Sequence, residues 1–261
     1  MIAIAREMIS GFRYLFPRGK FRIVLIALSA LAATISVSEL LVMKFFATLV
    51  LNEEEFTREF LGWAIAGFFL FFILTRVSQY FQRSYRVKAF ARSFRAAKKD
   101  RTAKEENREW AMAFELSNIL SFATQLVAII TFFFFLDPLL ALINTLILIV
   151  VLQALGWIFN KQVMVQKDLA IRNQKKRIKP EKRYSARIKA GESGALVSSA
   201  GTLVLLAALL YLSVDSQISP TNALIVFLGA RLQNSVISNT SRSLMRYAKS
   251  SARIDSDDDL E

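Results

Sequence analysis

Apolar residues gather along this chain into six runs: Phe21 to Val50, Leu61 to Leu74, Ser117 to Leu136, Leu139 to Phe159, Ala195 to Val214 and Ala223 to Val236. At about 1.5 Å per helical residue, most of these runs cross, or nearly cross, a hydrocarbon layer of roughly 30 Å. The polar segments between them alternate in sign. Arg6, Arg13, Arg18, Lys20 and Arg22 surround the entry to the first run, and eleven basic residues lie in each of the segments Arg76 to Arg108 and Lys161 to Lys189. The other connectors are short and acidic, with Glu53, Glu54, Glu55 and Glu59, then Asp137, then Asp215. Lys and Arg beside a span are held on the cytoplasmic side, so the pattern predicts that both ends of the chain and both basic segments face inward. The expected fold class is an all-α integral membrane protein with six transmembrane helices, in the plasma (inner) membrane.

Finer punctuation divides the chain further. Ile4, Met8, Phe12, Leu15 and Phe16 recur at helical spacing, with Arg6, Ser10 and Arg13 on other faces. This predicts a short interfacial helix over 1–20, with a frayed terminus as the alternative, then the six-helix domain over 21–254 and an acidic tail over 255–261. Asp137 before Pro138 and Ser219 before Pro220 each place a capping side chain ahead of a proline at the first helical position, which predicts two tight helical hairpins. The two basic segments read as helical continuations of the spans, with arms of about 20 to 25 Å. Ala30, Leu31 and Ala32 form an A-x-A pattern behind a basic region, but cleavage there would leave half a span exposed, so the segment reads as a retained span.

Composition narrows the function. The chain is 54% hydrophobic and carries a net charge of +13. In a soluble domain that charge would suggest nucleic acid; here it is confined to the segments flanking the spans, where the expected partner is anionic lipid. Cysteine and histidine are both absent. Thiolate and imidazole catalysis and the common metal-ligand sets are therefore unavailable, and no carboxylates cluster within the spans. The expectation is a chain that is not itself an enzyme and holds no metal.

Charges that lie within apolar runs are the candidates for function, because a charge at mid-bilayer costs about 2.5 to 3.5 kcal/mol on insertion scales. Arg231 lies roughly 17 Å along the helix from Pro220, close to the membrane middle. Gln233, Asn234, Ser235, Ser238, Asn239, Thr240 and Ser241 follow it, too polar for lipid. The sixth run is therefore expected to line a hydrated substrate pathway through Arg231, Gln233, Asn234 and Asn239; the alternative is a polar helix buried in a bundle. Glu39 lies about 25 Å along the helix from Arg22 and is the one intramembrane carboxylate suited to a cavity or to proton coupling. Lys44 reads as an interfacial residue, and Asn118, Gln125, Asn144 and Gln153 as helix-to-helix glue.

Several segments together carry a resemblance: Leu15, Phe16, Pro17 and Arg18 ahead of the first run; Phe134 to Ile143 across Asp137 and Pro138; and Gly201, Tyr211, Phe227, Leu232 and the exit from Ser250 to Ile254. In these features the chain resembles the six-helix transmembrane domain of ATP-binding cassette exporters. The resemblance implies an elbow helix, a homo- or heterodimer that exchanges its fourth and fifth spans between subunits, and ATP bound by a nucleotide-binding partner. The function it implies is the permease half of such a transporter, moving an amphipathic or anionic substrate. Two features depart from that family. No G-x-x-x-x-G-K-[ST] cradle is present, so ATP is expected on a separate ATPase subunit. The basic arms also read as shorter than the family's. The alternative function is a membrane scaffold or regulatory subunit that works without an ATPase, or an ion-coupled transporter.

Overall fold

Both Asp137–Pro138 and Ser219–Pro220 act as helix starts. Pro138 and Pro220 are each the first residue of a helix; Asp137 Oδ1 accepts the N–H of Leu140 at 2.7 Å, and Ser219 Oγ accepts that of Asn222 at 3.3 Å. Asp137 also closes the helix before it, its own N–H reaching the Phe133 carbonyl at 2.9 Å. One residue thus ends one helix and begins the next.

The structure is a computed structural model that describes residues 2–16, 20–51, 58–96, 102–175, 179–214 and 218–258. These form seven helices: α1 (Ile2–Leu15), α2 (Lys20–Leu51), α3 (Arg58–Ala96), α4 (Ala103–Leu136), α5 (Pro138–Lys175), α6 (Pro180–Val214) and α7 (Pro220–Asp258), with no strand among the described residues. Pro17, Arg18, Glu53, Glu54, Glu55 and Asp215, and the last part of the acidic tail, lie outside the described residues. Ahead of that last part, α7 stays helical through Asp258.

Five helices, α2 to α6, contain stretches long and apolar enough to cross a membrane, running over Arg22–Leu51, Glu59–Arg95, Glu105–Leu136, Pro138–Leu169 and Tyr184–Val214. The protein is a multi-pass α-helical membrane protein. α7 does not join them on composition, because Arg231, Gln233, Asn234 and Ser235 interrupt its apolar start. α3 lies at the edge of the bundle, only 11% of its most apolar stretch being buried against 44% for α2. Trp63, Leu70 and Ile73 accordingly stand exposed on it, a surface suited to lipid acyl chains.

Both basic segments continue the helices, as their sequence suggests, and one arm reaches further. From Arg76 to the end of α3 is about 30 Å of unbroken helix, longer than the arm that the residue count suggests. The count divides the segment evenly between two arms, whereas α3 alone runs on to Ala96. Thr102 then starts α4 with a capping box: its hydroxyl accepts the Glu105 N–H at 3.3 Å and Glu105 Oε2 accepts the Thr102 N–H at 2.7 Å. Thr102→Ala is expected to lower stability by about 1 kcal/mol, read as a lower thermal midpoint in detergent, with Thr102→Ser close to wild type.

Two cores hold the bundle. At the end bearing Asp137 and Ser219, Leu40, Phe133, Leu140, Leu209 and Val226 bury one another. At the opposite, basic end an aromatic group takes over, with Phe16 5.6 Å from Phe90, Phe94 5.1 Å from Trp110 and Phe90 5.2 Å from Phe114 between ring centres. α1 is part of that second core. Leu15 and the residue after the helix, Phe16, are buried and Ile4, Met8 and Phe12 half-buried, while Arg6, Ser10 and Arg13 are exposed, as the periodicity suggests. Its other tie is to α7: the Tyr247 hydroxyl donates to the Glu7 carbonyl at 3.3 Å, the Ser251 hydroxyl to Glu7 Oε1 at 3.0 Å, and Gly11 leaves the space that the Tyr247 ring tip fills.

Candidate functional site

α7 packs against α2, α4, α5 and α6. Gly229 lets Phe133 of α4 and Leu40 of α2 close in, since a Cβ at that position would stand 2.6 Å from the Phe133 ring. Gly194 of α6 does the same opposite Ser241, where a Cβ would stand 2.1 Å from the hydroxyl oxygen. Small residues at such crossings bring backbones close, the usual route to tight packing among membrane helices.

The polar residues of α7 divide between two faces. Gln233 is buried and forms a reciprocal amide pair with Asn144 of α5: Asn144 Nδ2 donates to Gln233 Oε1 at 2.9 Å and Gln233 Nε2 donates to Asn144 Oδ1 at 2.8 Å. Asn234 is half-buried, accepting from the Ser198 hydroxyl at 2.6 Å and donating to Ser199 Oγ at 3.4 Å, both on α6. Further along, the Ser241 hydroxyl donates to the Gly191 carbonyl at 3.1 Å. Gln233 and Asn234 are thus interhelical fasteners, the buried-bundle alternative for these two positions. Their contacts also hold α5 and α6 against the middle of α7 of the same chain.

The other face is exposed. Arg231, Ser235, Asn239, Arg242 and Arg246 recur every three or four residues and all five are exposed, forming a polar stripe about 22 Å long. Arg246 Nε meets Glu115 of α4 at 2.6 Å and Arg242 Nε meets Glu192 of α6 at 3.1 Å, so the stripe runs between α4 and α6. Among the described residues no carboxylate pairs with Arg231. Toward the basic end the stripe opens into a cavity of about 650 Å³ lined by Asn107, Arg108, Glu115, Arg187, Arg246 and Lys249. Among the described residues four cations against one carboxylate make this a positive vestibule, suited to drawing in anions.

Glu39 is elsewhere. It faces α3, where Gln79 Nε2 donates to its Oε1 at 3.1 Å and Arg76 donates to Gln79 Oε1 at 3.3 Å. The structure therefore brings Arg231 and Asn239 onto one surface, uses Gln233 and Asn234 for packing, and keeps Glu39 between α2 and α3. Arg86 of α3, which sequence reasoning passes over as one of many basic residues, donates to Asn118 of α4. Arg242, Arg246, Glu115 and Glu192 were also unmarked by the sequence. A helical-wheel count from Arg231 finds the two arginines; their acidic partners, on other helices, carry no such signal.

No protein-family model matches this chain, and no curated protein matches it.

Proposed function

We propose that the chain is the transmembrane half of a transport permease, with the α7 stripe lining an aqueous pathway closed by a second half. The observation that carries this reading is the exposed stripe from Arg231 to Arg246, which runs beside helices apolar enough for lipid. Arg231 lies one turn or less from Gly229 and Gln233, which pack against α2, α4 and α5, so it sits within the depth of the apolar bundle. An arginine facing hydrocarbon there costs about 2.5 to 3.5 kcal/mol, and the neighbouring Ser235 and Asn239 add unmet hydrogen bonds. Water, or a second copy enclosing water, removes that cost.

In this reading α7 is the sixth span, α1 is the elbow helix at the interface, and both ends of the chain are cytoplasmic. The stripe's arginines and the basic vestibule favour an anionic or amphipathic cargo. By the resemblance to ATP-binding cassette exporters, energy comes from a separate ATPase subunit that docks on the basic arms, and this chain itself performs no chemistry. The long α3 arm suits such docking. A second reading, a scaffold or regulatory subunit without an ATPase, draws on a different observation: α5 and α6 are fastened to α7 of the same chain, so the six-helix unit holds together by its own contacts.

Affinity purification of the full chain from its native membrane separates the two. The permease reading expects a nucleotide-binding subunit to copurify, with its ATPase activity lost when residues 161–189 are deleted. A stable assembly with no ATPase favours the scaffold.

A further inference from the structure

A second cavity, unrelated to the stripe, lies where α1 meets the bundle. It encloses about 640 Å³, within the range of small-molecule sites, and its walls are almost wholly apolar. Met8 and Ile9 come from α1, Ile26 from α2, Leu120 and Ala123 from α4 and Leu152 from α5. Among the described residues two arginines, Arg13 and Arg22, are its only charged lining, and no carboxylate lines it.

Arg22 is held in place. Its Nε donates to the Phe16 carbonyl at 3.1 Å and its guanidinium lies 5.5 Å over the Phe12 ring. With Nε used and the plane stacked, the two terminal nitrogens remain as a fork, the geometry that grips a phosphate through two parallel bonds. Among the described residues neither Arg22 nor Arg13 has an ion-pair partner. Arg22 is also the first residue of the first apolar span, the level at which lipid headgroups lie. From that level the apolar wall descends along α4 from Leu116 to Ala123, about 10 Å into the hydrocarbon.

We infer that this groove is a binding site for one anionic phospholipid, its phosphate gripped by Arg22 and Arg13 and an acyl chain lying against Ile26, Leu120, Ala123 and Leu152. Diffuse attraction between basic flanks and an acidic leaflet needs no cavity; here a fixed guanidinium fork stands over a preformed apolar slot. The site seats α1 against α2, α4 and α5, so the lipid is a structural wedge at the start of the bundle. It depends on membrane residence and not on the permease reading.

Native mass spectrometry of the full chain in detergent, titrated with dioleoylphosphatidylglycerol, dioleoylphosphatidylcholine or inorganic phosphate, tests the site. The expected result is one tightly retained phosphatidylglycerol, no retained phosphatidylcholine and no displacement by phosphate. Arg22→Gln should weaken phosphatidylglycerol binding about tenfold, as loss of a charged hydrogen-bond donor does. Ala123→Trp, which fills the slot from an exposed position, should abolish it, and Lys44→Gln, a charge change elsewhere, should leave it intact. Should Arg22→Gln not fold for want of its bond to Phe16, Arg13→Gln and Ala123→Trp carry the test. Equal retention of phosphatidylcholine, displacement by phosphate alone, or wild-type retention in Arg13→Gln and Ala123→Trp would overturn the proposal.

Discussion

Cysteines placed at Arg231, Ser235 and Asn239 are expected to react with a membrane-impermeant, water-soluble thiol reagent, while cysteines at Gln233 and Ile237 stay unmodified. The chain contains no native cysteine, so every label reports the introduced site. Reactivity needs a thiolate and therefore water, and a thiol against lipid or inside a packed core ionises poorly. Ile237 is 2% exposed and Gln233 4% exposed, whereas the other three lie on the open stripe. The contrast in rate should be about tenfold or more, with a period of about four residues along α7. Prior addition of an anionic cargo should slow labelling at Ser235 and Asn239. Uniform resistance at all three stripe positions would mean that another protein surface seals the stripe, and the aqueous pathway would be lost as an explanation.

Breaking the Asn144–Gln233 pair on one side is expected to destabilise the bundle by about 1 to 3 kcal/mol, because the surviving amide is left buried without its partner. Asn144→Leu strands Gln233, and Gln233→Met strands Asn144; each keeps approximate volume, so the loss is chiefly polar. The double variant should recover much of the stability, with a coupling of about 1 to 2 kcal/mol, the range for hydrogen bonds between membrane helices in model peptides. Thermal or denaturant unfolding in detergent reads the cycle. Additive single effects would mean that the two amides do not act as a pair, and that α5 is held on α7 by apolar contact alone.

These two experiments concern neighbouring residues that sequence reasoning placed in one group. Counting from Pro220 locates Arg231, Gln233, Asn234 and Asn239 along the helix axis, since rise per residue is constant. Their direction around the axis depends on what packs beside α7. Asn144 is 89 residues from Gln233, and nothing local marks the two as partners. Hence the four were read together as lining, although two prove to be fasteners. Glu39 illustrates the same limit: its place along α2 is read from the sequence, its neighbour Gln79 on α3 is not.

Features that depend on adjacent residues were legible. Asp137 and Ser219 cap the helices that follow because a cap is decided within four residues. The face of α1 was legible as well, its apolar period being local. The length of the α3 arm is not legible because no proline or glycine marks where α3 ends at Ala96, and the basic residues along the arm suit a helix throughout. α7 is the mixed case. Its polarity was plain, and that polarity is also why composition alone counts only five spans.

Glu7 receives Tyr247 and Ser251 across 240 and 244 positions of chain. α1 is synthesised before α7, so it has no complete seat until α7 has followed it. A lesion at Tyr247 should therefore show itself first as a loosened α1, 240 residues away along the chain from the mutation.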